Sequence, residues 1–166
     1  ITFFKVVYRR HTNFSMESIQ QTLNGTTTVG TAGATATCTI SRNGDLVHKV
    51  YVVATCTADS ADMEKLVKES EIEIGGQIID KQTQEWRNVW NELSTSDSKA
   101  IGLKSMQGCV GSTRLTGGTG VNQVHVPLLF WFCRNPGLAL PLIALQYHEV
   151  KIKLTWGNTG GGESPI

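Results

Sequence analysis

The chain has 166 residues and a formal net charge of +1, from 15 Lys and Arg against 14 Asp and Glu. It therefore lacks the basic excess of a nucleic-acid binder, and its apolar runs are far shorter than the roughly 18–20 residues of a membrane helix. A domain of this size buries roughly 68–70 % of its unfolded surface, so it needs neither a metal nor a disulfide to hold a core. Charged residues make up only 17 % of the chain, against the ~25 % that is usual, which fits a protein whose faces meet other proteins.

The N-terminal third predicts β-structure. Phe3–Arg9 is rich in β-forming residues, with Phe4, Val6 and Tyr8 on one face, and Met16–Leu23 is predicted to be a second strand. Asn24–Ala36 is rich in Thr, Gly and Ala, which indicates a surface loop. Asn43-Gly44 lies between the predicted strands Thr37–Arg42 and Asp45–Cys56. An Asn-Gly pair of this kind predicts a two-residue hairpin turn with positive φ at both residues.

Two short helices are predicted in the middle of the chain. In Asp59–Ser70 the apolar residues Met63, Leu66 and Val67 form a stripe at helical spacing. Glu71–Ile74 then alternates as a strand, and Gly75-Gly76 is predicted to turn the chain.

Gln82–Leu93 is the second predicted helix. Its apolar residues Trp86, Val89, Trp90 and Leu93 stand at positions i, i+3, i+4 and i+7. Such a stripe is typical of a helix that packs on a sheet, so we expect both tryptophans to be buried.

The C-terminal third returns to strands. Val124–Cys133 is apolar at nearly every position, which predicts a strand covered on both faces. Asn135–Pro141 contains two prolines and a glycine and predicts a bend. Tyr147–Trp156 alternates cleanly, with His148 expected on the apolar face. Short strands, Gly-rich turns and helices inside connections favour an all-β antiparallel sandwich of the jelly-roll kind.

Residues of the types that act in catalysis or metal binding are scattered along the chain. No phosphate-binding or nucleophile motif is present, and Gly117-Gly118-Thr119-Gly120 has no strand and helix around it, so we interpret it as a flexible loop. Glu71 and Glu73 share a strand face, which we interpret as solvated. We therefore predict no catalytic residue, no metal, no cofactor and no small-molecule substrate. The four histidines form no ligand pair: His11, His48, His125 and His148.

The cysteines are predicted to be free thiols, and the chain contains two glycosylation sequons. Three of the four cysteines lie in apolar β-like runs, where a thiol behaves as a small hydrophobe; buried free thiols indicate assembly in a reducing compartment. Asn13 and Asn24 each begin an Asn-x-Ser/Thr sequon, and Asn24 is the better glycosylation candidate because it lies in the predicted loop. The cysteines are Cys38, Cys56, Cys109 and Cys133.

Several runs resemble the major capsid proteins of nucleocytoplasmic large DNA viruses. The longest is Asn135–Lys151, which opens Asn-Pro-Gly-Leu-Ala-Leu-Pro-Leu. Together the runs cover most of residues 1–156, whereas the loops Thr26–Ala36 and Ser94–Gln123 match nothing specific. The other runs similar to the family are Ile1–Lys5, Tyr8–Phe14, Glu17–Gln21, Ile40–Leu46, Glu73–Gln77, Ile79–Lys81 and Val126–Leu128.

The resemblance implies a non-enzymatic structural protein. Residues 1–156 would be the first of two jelly rolls, lacking its last strand, and residues 157–166 a tail or the start of a long loop. Family members form trimeric, pseudo-hexameric capsomers that contact neighbouring capsomers and minor capsid proteins, which places the protein in the virion after assembly in the host cytoplasm. One alternative is a β-sandwich carbohydrate-binding module, which an exposed aromatic cluster would favour. Another is a metal-dependent jelly-roll enzyme, which needs clustered histidines.

Overall fold

The structure, a computed structural model, describes residues 13–27, 32–56, 65–107, 122–157 and 164–165. Two helices, α1 Gln84–Ser94 and α2 Asp97–Met106, lie in the connection between the sixth and seventh strands of this part of the chain. Short 3-10 turns follow at Trp131–Cys133 and Pro136–Leu138. The described strands are β1 Leu23–Gly25, β2 Thr35–Thr39, β3 Leu46–Val47, β4 Val50–Cys56, β5 Val67–Ile74, β6 Gln77–Thr83, β7 Asn122–Leu128, β8 Leu140–Pro141, β9 Val150–Trp156 and β10 Ser164–Pro165.

These strands form an antiparallel sandwich. A five-stranded sheet has the order β1-β2-β9-β5-β6, and it faces a three-stranded sheet, β10-β4-β7, and a small β3-β8 pair. One apolar core lies between the sheets, and the prediction of an all-β jelly-roll sandwich is confirmed. The buried core residues are Ala36, Val52, Ala54, Leu66, Val67, Ile72, Val124, Val126, Leu128, Phe130, Phe132, Leu140, Leu142, Val150, Ile152, Leu154 and Trp156.

The predicted C-terminal strand is confirmed as β9, the central strand of the larger sheet. Val150, Ile152, Leu154 and Trp156 are buried while Lys153 is exposed. The strand begins at Val150, however, so its start was predicted three residues too early, because the turn that precedes it also carries apolar residues.

The Gly75-Gly76 turn is confirmed between β5 and β6. Gly75 and Gly76 have φ values of 61° and 87°, which a type I′ hairpin requires and glycine adopts without steric cost. A Cβ on Gly75 would also stand 2.8 Å from Nδ1 of His148.

The hairpin predicted at Asn43-Gly44 is wrong. Positive φ occurs in the described part of the chain at Gly25, Gly33, Gly75 and Gly76, and not at Asn43 or Gly44. β2 pairs with β1 and β9, whereas β3 pairs with β8. The two strands that flank Asn43-Gly44 therefore belong to different sheets, and the segment between them is an open bend.

Three other predicted elements differ from the structure. The helix predicted over Asp59–Ser70 is wrong over the residues described, because β5 begins at Val67. The strand predicted over Met16–Leu23 is wrong, since residues 13–22 form no regular element. Part of the predicted Asn24–Ala36 loop is strand, because β1 pairs with β2 from Leu23↔Cys38 to Gly25↔Ala36.

The apolar run Val124–Cys133 is not one strand covered on both faces. β7 ends at Leu128, and its core face carries Val124 and Val126 while His125 and Pro127 on the other face are half-buried. The run continues into a 3-10 turn that buries Phe132. The predicted bend over Asn135–Pro141 is confirmed by the second 3-10 turn.

Several expectations lie outside the described residues. They are the Phe3–Arg9 strand, the interpretation of Gly117–Gly120, and the residues His11, Met63 and Cys109. Ser164–Pro165 pairs with β4 opposite Thr55 and Ala54, and the domain limits 1–156 and 157–166 stay predictions. No described helix combines the length and apolarity needed to cross a membrane.

Candidate assembly surface

Helix α1 presents its apolar side to solvent and its polar side to the sandwich. Trp86, Val89 and Leu93 are 43 %, 51 % and 79 % exposed, and Trp90 is half-buried. We call these four residues the α1 stripe. On the opposite side of the helix Arg87 is buried, and Gln84, Asn88 and Asn91 are half-buried. The helix was predicted correctly, but the expectation that it packs through its tryptophans is wrong for Trp86, which is exposed, while Trp90 is only half-buried.

Polar contacts hold the helix in this orientation. Thr83 caps its start, with Oγ1 accepting from the Trp86 N–H at 3.4 Å. Arg87 is 2 % exposed, and its Nη2 donates a hydrogen bond to the Val67 carbonyl of β5. Gln82, two residues before the helix begins, donates from Nε2 to the Leu129 carbonyl at 2.7 Å. The inner side of α1 is thus fixed by hydrogen bonds, which leaves the apolar side facing out.

We expect Arg87→Met to destabilise the fold by about 1–3 kcal/mol, because the buried Val67 carbonyl loses a charged donor. Urea unfolding measures the change, and hydrogen exchange of α1 amides reports whether the helix loosens first. Asn88→Met, on the same side of α1 but only half-buried, is the matched control. Equal stability of the two variants would contradict the anchoring role of Arg87.

The two borders of the α1 stripe carry opposite charges. Glu85 and Glu92, seven residues apart and both exposed, lie along one border. On the other, the Arg134 guanidinium stands 4.5 Å from the ring centroid of Trp90. Hydrogen bonds from its own backbone N–H and from Thr83 lower the pKa of the Glu85 carboxyl, so it is charged at neutral pH.

The composition of this surface is that of a protein interface. The Trp86 and Trp90 rings lie 5.8 Å apart, with Arg134 beside them. Trp and Arg are enriched among the residues that dominate binding energy, and an exposed apolar stripe of this length on a soluble protein marks a contact surface.

Other exposed apolar side chains are more dispersed. Ile78 and Ile79 lie at the start of the edge strand β6, and Tyr147 precedes β9. Residues 13–20 are all exposed and include Phe14 and Met16. None of these groups combines a regular element with an aromatic pair as α1 does.

The outer face of the five-stranded sheet is charged. Register places Glu71 of β5 opposite Lys81 of β6 and Lys153 of β9. Lys81 Nζ lies 3.0 Å from Glu69 and 3.1 Å from Glu71, and Lys153 Nζ lies 3.7 Å from Glu71. Hydrogen bonds to Glu69 and Glu71 raise the pKa of Lys81. Of the two carboxylates expected to lie on a solvated strand face, Glu71 thus belongs to an ion-pair network with Lys81 and Lys153.

The histidines of the described chain do not converge. His48 is half-buried, with Nδ1 3.4 Å from the Phe132 carbonyl oxygen, and His125 is half-buried on β7. His148 is exposed and precedes β9, so the expectation that it faces the core is wrong. Within the described ranges no three His, Cys, Asp or Glu side chains are grouped to hold a metal ion.

A cleft of about 210 Å³ opens beside the start of β9. Arg42 lies in it and donates from Nη2 to the carbonyls of Leu145 and His148, each at 3.3 Å. The guanidinium is therefore used to hold the turn that precedes β9, and the cleft gathers no set of catalytic groups.

The sequons are both exposed. Asn24 is in β1, opposite Thr37, and not in a loop as expected. Asn13 lies in the irregular segment at the start of the described chain. Glycosylation at either position stays a prediction.

The side chains of two of the four cysteines are described, and both are shielded. Cys38 is buried in β2 and Cys133 is half-buried in the 3-10 turn, and both are free. Burial raises the pKa of Cys38, and it raises that of Cys133 to about 11 although backbone contacts at Val50 and Phe130 oppose it.

We expect Cys133 to resist alkylation at pH 8, because the thiolate is the reactive form and only about one thiol in a thousand is ionised three pH units below its pKa. Reactivity should rise as the pH approaches 11. Iodoacetamide labelling followed by peptide mass spectrometry measures this, with the denatured protein as control. Labelling of folded and denatured protein at equal rates at pH 8 would contradict it.

Comparisons with known proteins agree on one family. The family described as "Major capsid protein N-terminus" matches residues 2–159. The chain is 54 % identical to the major capsid protein of Pyramimonas orientalis virus, covering 96 % of this chain and 42 % of the relative. It is 44 % identical to the major capsid protein of Paramecium bursaria Chlorella virus 1, covering 93 % of this chain and 36 % of the relative.

A solved structure gives the same result. The chain matches a subunit of the quasi-atomic model of the PBCV-1 virus capsid with a TM-score of 0.78 and 41 % sequence identity. The match covers 98 % of this chain and 39 % of that subunit. The chain thus spans about two fifths of the length of these relatives.

Proposed function

This chain belongs to the family of major capsid proteins of large DNA viruses, and from that premise we propose that it is a structural subunit of an icosahedral viral shell. The observation that carries the proposal is the α1 stripe. A shell subunit must keep apolar surface for its neighbours, and α1 exposes Trp86, Val89 and Leu93, with Trp90 half-buried beside them and its polar side on the sandwich. A protein that acts alone would gain stability from the reverse orientation.

The proposal extends to the assembly. Residues 1–156 form the first of two jelly rolls in the complete protein, and three copies form a capsomer with a pseudo-hexameric outline. Capsomers contact one another and minor capsid proteins in the virion, after assembly in the host cytoplasm. The lengths of the relatives support a further domain, because each is more than twice as long as the part matched here.

The subunit has no catalytic role in this proposal. The relatives are named as capsid proteins, and the histidines and carboxylates of the described chain are dispersed or ion-paired. Analysis of the purified protein for zinc, iron and manganese tests this, since a stoichiometric metal would contradict it.

One observation favours a second candidate, a carbohydrate-binding surface. Trp86 is exposed beside Trp90, and an amphipathic sugar face can stack on such rings. Val89 and Leu93 continue the same surface with aliphatic side chains, however, which suits a protein neighbour better than a hydrated glycan. Titration with simple sugars, followed by tryptophan fluorescence, distinguishes the two candidates.

Negative-stain electron microscopy of the complete protein tests the main proposal. We expect trimers with a hexagonal outline. Monodisperse monomers at high concentration would contradict it.

A further inference from the structure

We propose that the α1 stripes of two copies pack side by side, with the helices parallel and related by a two-fold axis that runs along them. The proposal rests on the proposed function, in which copies of this chain assemble, and it names the contact and its geometry. The occupant of the stripe is thus a second copy of the same helix. The arrangement of charge on the borders of the stripe supports this contact.

The stripe is complementary to itself in charge. Glu85 and Glu92 lie on one border and Arg134 on the other. A two-fold axis parallel to the helices exchanges the borders, so the carboxylates of each copy face the guanidinium of its neighbour on both sides of the apolar contact. Opposite charges at the rim of an apolar contact fix its register and orientation.

The antiparallel arrangement is disfavoured by the same charges. A two-fold axis perpendicular to the helices leaves each border on its own side. Glu85 and Glu92 would then face the same carboxylates of the second copy, and Arg134 would face Arg134. Such like-charge juxtaposition opposes association.

The parallel arrangement also sets which side chains meet. Residues at the same position along the two helix axes face each other. Leu93 lies near the middle line of the stripe, so it meets Leu93 of the second copy. In the antiparallel arrangement Leu93 would instead meet Trp86. The side chain at position 93 therefore reports directly on the geometry.

The contact is small. Eleven residues of helix are about 16 Å long, so two stripes bury less than the ~800 Å² per partner of a standard stable interface. The association of two isolated chains is consequently weak, and it becomes effective where a shell holds many copies next to each other. A test must therefore trap the contact or measure small changes in it.

Cross-linking provides the first test. Leu93→Cys, at 79 % exposure, is compared with Ile101→Cys on α2, at 73 % exposure, each under oxidation and with a short thiol-to-thiol reagent. We expect a covalent dimer from Leu93→Cys at several times the rate of Ile101→Cys and of the unmodified chain. Equal rates for the two variants would overturn the proposal, since random collisions would then account for both.

Charge variants provide the second test, by sedimentation at high concentration. We expect Glu92→Gln to weaken dimerisation about 2- to 25-fold, because the two-fold contact loses two exposed ion pairs and each contributes about 1.5- to 5-fold. A chain with Glu85→Lys and Glu92→Lys, and a chain with Arg134→Glu, should each dimerise less than the parent, and mixing the two should give a heterodimer. Tighter dimerisation of Glu92→Gln would indicate the antiparallel arrangement and overturn the proposal.

The helix contact and the proposed capsid function can be disproved independently of each other. If the complete protein forms hexagonal trimers but Leu93→Cys cross-links no faster than Ile101→Cys, the helix contact is wrong and the capsid function stands. If cross-linking is specific but the complete protein gives two-fold dimers and no trimers, the helix contact stands and the proposed capsomer is wrong.

Discussion

Replacing Trp156 with alanine should lower the free energy of unfolding by about 3–5 kcal/mol, the range for removing a fully buried tryptophan. Trp156 has 0 % exposure and is the largest fully buried side chain of the core. It ends β9, the central strand of the five-stranded sheet. Its removal opens a cavity that the surrounding strands, tied by their hydrogen-bond ladders, can fill only in part.

Trp156 also ties three chain segments together. Its Nε1 donates to the Thr26 carbonyl at 2.7 Å, its backbone N–H donates to Ala34, and its carbonyl accepts from Gly33. Trp156→Phe is the control, because it retains an aromatic ring in the core, and we expect the lost Nε1 hydrogen bond to cost about 1–2 kcal/mol. Denaturant titration of both variants measures the difference. A Trp156→Ala variant as stable as Trp156→Phe would show that packing at this site is unimportant.

The strands that the sequence predicted best are those whose pattern is local. β9 alternates over its whole length and its side chains obey that pattern. Gly75-Gly76 supplies both positive φ values within the turn itself. In each case residues close in sequence determine the conformation, so a prediction from the local sequence pattern succeeds.

The failed predictions depend on distant partners. Asn43-Gly44 has the composition of a hairpin turn, but β2 finds its neighbours in β1 and β9, more than a hundred residues away in the second case. Leu66 and Val67 were predicted to lie on the apolar stripe of a helix, but both are fully buried where β5 begins. Sheet pairing overrode local preference at both places.

Helix α1 shows a different limit. Its position was predicted within two residues at its start and one at its end, and its apolar stripe was identified correctly. The error came from the assumption that an apolar stripe faces the core of its own chain. Only the structure reveals that Arg87 occupies the inner side. The sequence signal that could have indicated this is the polar set Gln84, Arg87, Asn88 and Asn91, because these residues can hydrogen-bond to a neighbouring strand and turn.

The second large effect is expected at Gly157, directly after β9. A Cβ built on Gly157 would stand 1.9 Å from the Lys65 carbonyl oxygen, far inside van der Waals contact. The Gly157 N–H meanwhile donates to the Leu66 carbonyl at 2.9 Å, so the two backbone segments are held together by the bond that the side chain would break. Because the obstacle is backbone and not a flexible side chain, the clash cannot be relieved by a rotamer change.

Gly157→Ala should therefore destabilise the fold by about 3 kcal/mol, at the upper end of what overpacking usually costs. The loss should appear as a lower denaturation midpoint, with increased hydrogen exchange at Val67 and Trp156, which pair next to the clash. Gly44→Ala is the matched control: an added Cβ there meets nothing within 4 Å and the backbone φ is not positive, so stability should hold or rise by about 0.4–1 kcal/mol as the unfolded chain loses freedom. If Gly157→Ala and Gly44→Ala unfolded at the same denaturant concentration, the close approach of the Gly157 and Lys65 backbones would have to be wrong. A large difference between the two would establish that the end of β9 is fixed by backbone contact with the segment that leads into β5.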